Sequence, residues 1–96
     1  MILRYFAKLK QVPNGIVITF PDVPGCFTCA FTRDEIESLS REIMSLTFHG
    51  HRPDELPRMS GADEIELEEG QELILIETEM ALENGLLKSL IPTDLI

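Results

Sequence analysis

From Leu3 to Lys10, Leu3, Tyr5, Ala7 and Leu9 alternate with Arg4, Phe6, Lys8 and Lys10. That period of two predicts a half-buried strand, with Phe6 the one apolar residue out of phase. Pro13-Asn14-Gly15 follows, and Asn-Gly between apolar runs is a hairpin signal because both residues tolerate positive φ. The β-branched and aromatic run Ile16–Phe20 predicts the return strand. Pro21-Asp22-Val23-Pro24-Gly25 predicts a second turn, and Phe27–Thr32 a third strand. Three strands joined by tight turns make an antiparallel meander.

The period changes at Thr32. Thr32 and Glu35 have the spacing of a capping box, and Asp34, Glu35 and Glu37 suit the positive end of a helix dipole. Ile36, Leu39, Ile43 and Leu46 recur at helical spacing, with Met44 and Phe48 one step round, and Gly50 is the expected stop. Between His51 and Gly61, two prolines and a glycine predict a connector. Leu73-Ile74-Leu75-Ile76 is a continuous apolar run, expected as a strand covered on both faces or lying at a subunit contact. After it, Leu82, Leu86 and Leu90 lie four apart, as do Leu87 and Ile91, which reads as a helical stripe. Asn84-Gly85 interrupts it and fits either a break between two short helices or a hairpin. Helix-favouring residues at Ala81, Leu82, Leu86, Leu87 and Lys88 tip the expectation to a helix with a break.

The resulting fold class is α+β. A three-strand antiparallel meander is joined by one further strand, one main helix packs on the sheet, and a short helical tail follows. Residues 1–78 form the expected domain. Residues 79–96 are the expected tail, a docking or dimerisation element.

The chain has 96 residues, about one domain's worth. Its 8 Lys+Arg against 17 Asp+Glu give a formal net charge of -9. Such a surface is repelled by nucleic-acid phosphate and suits a basic protein partner. The charge is polarised. Residues 1–31 hold one acid, Asp22, whereas Asp63–Glu83 holds nine acids and no base. No apolar run reaches the roughly 18 residues of a membrane span. The first ten residues lack a signal-peptide core, so a cytoplasmic location without a membrane partner is expected.

Candidate chemistry is sparse. Cys26 and Cys29 form a C-x-x-C, and His49 and His51 lie downstream, which on paper is four zinc ligands. Zinc-binding histidine pairs are usually three to five apart, and an odd offset along a strand sends the two cysteines to opposite faces. The expected arrangement is Cys29 in the core, Cys26 in the turn, and both histidines in a structural role at a helix end. No metal site, no cofactor and no catalytic residue is expected, and the glycines form no phosphate loop.

The phrase Gly15-Ile16-Val17-Ile18-Thr19-Phe20-Pro21-Asp22-Val23-Pro24-Gly25-Cys26-Phe27-Thr28 is distinctive. Tyr5 precedes it. Thr32 then opens an acidic amphipathic helix, and Arg52-Pro53, Leu56-Pro57 and Ser60 follow. This pattern resembles the HicB antitoxin family over about residues 4–60, and more loosely over Glu72–Glu77. The resemblance implies a partial ribonuclease-H-like fold with the last strand beside the first. It implies no catalysis. It implies binding and masking of a small basic ribonuclease, the HicA-type toxin, and a homodimer or tetramer. Many members add a DNA-reading module. Here only Lys88 is basic after Glu77, which argues against direct DNA binding.

The function expected is therefore toxin neutralisation. The candidate partner-binding residues are Pro21, Asp22, Val23, Pro24, Gly25, Cys26, Glu77 and Glu79. The candidate oligomer contacts are Leu73, Ile74, Leu75, Ile76, Leu86 and Leu90. The alternative is an acidic, phage-type inhibitor that mimics nucleic acid and binds a host nucleic-acid enzyme. A nuclease, by analogy with ribonuclease H, ranks behind both, because the meander contributes only Asp22.

Overall fold

The computed structural model describes residues 1–91. Five antiparallel strands form one sheet with the spatial order β3-β2-β1-β4-β5. The strands are β1 (Ile2–Val12), β2 (Gly15–Thr19), β3 (Phe27–Ala30), β4 (Gln71–Glu83) and β5 (Leu86–Ser89). One helix, α1 (Ile36–Phe48), packs on one face.

The meander forms as its alternation predicts. Leu3, Tyr5, Ala7 and Leu9 are buried, and so are Ile16 and Ile18 across the hairpin. Gly15 is required there. A Cβ on it would sit 2.6 Å from the Ala30 carbonyl oxygen, too close for any side chain. β4 lies beside β1, in the register Tyr5↔Ile76 and Arg4↔Glu77.

A single turn of 3-10 helix, Arg33–Glu35, leads into α1 with Thr32 as its N-cap. Half of the expected capping box forms. The Glu35 carboxylate accepts from the N–H groups of Phe31 (3.0 Å) and Thr32 (3.1 Å). The Thr32 hydroxyl bonds that same carboxylate rather than the helix backbone.

The face of α1 that meets the sheet is rotated from the expected stripe. Ile36, Ser40, Met44, Ser45 and Phe48 are buried, whereas Leu39 and Ile43 lie at the margin and Leu46 is 42% exposed. Small serines at the closest approach let the helix sit low on the sheet. There the Ser45 and Thr78 hydroxyls meet at 3.2 Å.

The run Leu73–Ile76 is not uniformly covered. Strand alternation sends Ile74 and Ile76 to the helix side and Leu73 and Leu75 to the other, where Leu75 is 42% exposed.

The expected helical tail does not form. β4 continues without a break through residues 78 and 79 to Glu83, and Asn84-Gly85 turns the chain into β5. Both turn residues adopt positive φ (54° and 79°), a primed turn whose twist matches the strands. The spacing of Leu82, Leu86 and Leu90 mimicked a helix. In the hairpin, Leu82 instead pairs with Leu87, and Leu87 is fully buried. The expected tail's last residues, 92–96, lie outside the described residues.

The outer edge of β5 is closed by the chain leaving α1. The Gly50 N–H donates to the Leu87 carbonyl (2.7 Å), and the Leu87 N–H donates to the His51 carbonyl (2.8 Å). His49 Nδ1 accepts from the Ser89 N–H at 3.0 Å. The two histidines thus serve the sheet edge, where the sequence pointed to the helix dipole.

Candidate protein-interaction surface

With α1 on one face, the opposite face of the sheet is open. β1 contributes Ile2, Arg4, Phe6, Lys8 and Lys10 to it, so Phe6 has an apolar role on this second face. Leu73, Leu75, Glu77 and Glu79 stand beside them on β4. Val17 and Phe27 extend the apolar area across β2 and β3, with Phe27 62% exposed. The face is graded in charge. Lys8 and Lys10 lie toward the first hairpin, and the Arg4–Glu77 ion pair and Glu79 lie toward the other end. The pair is half-exposed, so it orients side chains more than it stabilises.

The Pro21–Cys26 turn has a different character. Val23 and Cys26 are buried in the core. The Phe20 N–H bonds the Cys26 carbonyl (3.2 Å), and the Cys26 N–H bonds the Val23 carbonyl (3.0 Å). Asp22 accepts from the Ser60 N–H (2.7 Å) and hydroxyl (2.6 Å), tying the turn to the connector. Pro21, Pro24 and Gly25 are the exposed residues of the turn. β1 and β2 stand between this turn and Glu77 and Glu79, so the candidate partner residues do not form one patch.

Among the candidate oligomer contacts, Leu73, Leu75 and Leu86 lie on the open face. Ile76 is in the core, Ile74 packs against it, and Leu90 is 56% exposed.

The two cysteines exchange their expected places. Cys26 is buried, and burial pushes its thiol above the ordinary value. Cys29 is exposed, because its register with Val17 places it on the open face. Among the described residues, no three His, Cys, Asp or Glu side chains come close enough to hold a metal ion. No helix there is long and apolar enough to cross a membrane.

The acidic segment is not one continuous surface. Glu64 pairs with Arg58, Glu72 with Arg33 and Glu77 with Arg4. Arg58 holds the Glu64 carboxyl below its usual range, helped by the Gly61 N–H. Glu79 and Glu83 have no ion-pair partner among the described residues, and neither do Asp63, Glu66, Glu68 and Glu69 in the loop before β4.

Among the described residues, the sheet also has two unpaired half-edges. Sequence reasoning could not locate them, because they depend on where β2 and β5 stop. Met1 and Met80 exchange hydrogen bonds, 2.9 Å and 2.8 Å, which fixes the pairing phase of β1 and β4. In that phase the even residues of β4 bond β1, and the odd ones turn their N–H and C=O groups outward. β5 meets only Met80–Glu83 of this outer edge. Leu73, Leu75 and Glu77 therefore point their backbone groups away from the sheet. On β1, Ile2, Arg4 and Phe6 do the same, because β2 ends opposite Lys8.

No family model matches the chain, and no curated protein matches it. Among solved structures, a chain of the "HicA3 and HicB3 toxin-antitoxin complex" is similar in fold. The TM-score is 0.64 at 19% identity, over 80% of this chain and 99% of that one. At that identity the likeness is one of fold.

Proposed function

We propose that this chain is a HicB-like antitoxin. It binds a small basic ribonuclease of the HicA kind and blocks it by covering its RNA-binding and catalytic surface. The carrying observation is the fold likeness over 80% of the chain to a component of a toxin–antitoxin complex. Two independent features support it. One is the Gly15–Thr28 phrase, which resembles the HicB family. The other is the net charge of -9, which draws a basic partner inward. The chain acts by occlusion and has no catalytic role of its own. Self-association to a homodimer or tetramer belongs to the same reading, with Leu73, Leu75 and Leu86 of the open face as its contacts.

The test is a native purification from the source cells with intact masses of whatever accompanies the chain. The expected companion is one small basic protein at fixed stoichiometry. Separated from the chain, it cleaves RNA, and equimolar chain added back abolishes the cleavage. A companion without ribonuclease activity, or a cleavage rate unchanged by re-addition, would refute the proposal.

A further inference from the structure

We propose that the outer edge of β4 from Leu73 to Glu77, unpaired among the described residues, receives an extended basic segment of the partner as an added strand. This rests on the antitoxin reading and specifies how the partner is held. The edge is long enough for three outward-facing residues, Leu73, Leu75 and Glu77, and β5 stops short of it. Among the described residues, the one hydrogen bond that reaches these backbone groups is from Arg41 Nε to the Glu77 carbonyl, at 2.9 Å. Exposed edge groups of this kind are a template for main-chain pairing.

Beside the edge lies a cleft of about 450 Å³ between the start of α1 and the sheet. Leu9, Ile36 and Ile74 form its floor, and Arg33, Asp34 and Glu37 its rim. An added strand would therefore present two different sides. One alternate set of side chains would continue the apolar open face beside Leu73 and Leu75. The other would face the cleft, where Asp34 has no ion-pair partner among the described residues. Glu79, also without an ion-pair partner among the described residues, stands at the end of the same stretch, whereas Glu72 and Glu77 are already paired with Arg33 and Arg4. A strand alternating apolar residues with Lys or Arg satisfies both sides at once. The self-association proposed above uses side chains of the open face and leaves this backbone edge to the partner.

The probe is a synthetic capped heptapeptide alternating valine and lysine. Its control is the same peptide fully N-methylated, which cannot form a ladder. The readout is residue-resolved amide hydrogen exchange. Saturating peptide is expected to slow exchange at Leu73, Leu75 and Glu77 by about tenfold or more, since these amides acquire a partner. The N-methylated peptide should leave them unchanged. L75P removes the outward N–H at a position where an edge strand tolerates proline, and should abolish the protection. L75K keeps the backbone groups and places a like charge on the exposed side chain. It should weaken peptide binding several-fold and serves if L75P does not fold.

Binding that leaves these three amides unprotected would overturn the inference, as would no binding at all. Amides already protected in the free chain would overturn it too, showing the edge covered from within the chain or by a second copy, which sedimentation separates. None of these results bears on ribonuclease inhibition by the whole chain, which the native purification decides separately.

Discussion

Asp22 grips Ser60 with both carboxylate oxygens, one on the backbone N–H at 2.7 Å and one on the hydroxyl at 2.6 Å. This contact joins the Pro21–Cys26 turn to a connector that holds no long element of its own. Charge-assisted bonds to a half-buried carboxylate are among the stronger ones. Asp22→Ala is expected to cost about 1–3 kcal/mol, read as a lower urea midpoint with an unchanged slope. A midpoint within experimental error of the parent would mean that the latch is idle.

The hydroxyl pair Ser45–Thr78 joins α1 to β4 inside the core. Ser45→Ala leaves the Thr78 hydroxyl buried without its partner, at a cost of about 1–3 kcal/mol. Adding Thr78→Val should restore much of that loss, so the double variant is more stable than the two single costs sum to. Ser40 provides the contrast. Its buried hydroxyl has no hydrogen-bond partner among the described residues. Ser40→Ala should be neutral or stabilising in the same denaturation assay.

Tyr5 donates its phenol proton to the Pro57 carbonyl at 2.6 Å. Burial, and secondarily the Asp22 charge, raise its pKa above the ordinary 10.0. The fold therefore favours the protonated phenol. That contribution is fully present below the unfolded-state value and is lost as pH rises through the folded one. The chain has one tyrosine and no tryptophan, so the ultraviolet phenolate band reports this group alone. Its midpoint should lie above 10.0 in the folded chain and return toward 10.0 in denaturant. Equal midpoints in the two states would contradict the buried bond.

The thiols should separate by rate. Cys29 is exposed, whereas Cys26 is buried with its thiol pushed toward the protonated form. A thiol reagent at neutral pH should modify one cysteine per chain quickly and the second far more slowly, with mass mapping placing the fast one at Cys29. Equal rates would mean that the turn opens readily.

Glu79 and Glu77 differ as steering charges, because Arg4 already neutralises Glu77. Glu79→Lys should slow association with the proposed basic partner several-fold at low salt, and the difference should fade as salt rises. Glu77→Lys should have a smaller effect on association and also place two like charges side by side with Arg4. Association rates unaffected by Glu79→Lys at low salt would remove Glu79 from the contact.

The meander was legible because Leu3, Tyr5, Ala7 and Leu9 keep a strict period of two and the turns carry proline, asparagine and glycine. α1 was legible in extent but not in rotation. Hydropathy ranks Leu46 above Ser40 and Ser45, yet close approach to a sheet selects for small volume, which a hydrophobic pattern does not record. The last hairpin is hidden in the sequence pattern for a related reason. The leucines four apart satisfy a helical period by coincidence, while the decisive signal, two positive-φ residues at Asn84-Gly85, occupies only two positions. The cysteines exchanged places because the face of Cys29 depends on its pairing with Val17, a relation between distant residues. The open half-edge of β4 is likewise a property of where its neighbour ends.

β1 is the middle strand of the sheet, yet its two neighbours arrive at very different times. Residues 15–19 pair with it almost as soon as they are made, while the partner of Tyr5 is Ile76. A ribosome must therefore complete most of the chain before β1 is flanked on both sides. Until then, α1 can pack only on the β3 side of its seat, and the part that β4 and β5 complete stays uncovered. Such long-range pairing slows folding toward the millisecond-to-second range and extends the window for chaperone binding or proteolysis. Chaperones and proteases therefore meet a β1 flanked on one side only for as long as β4 is missing.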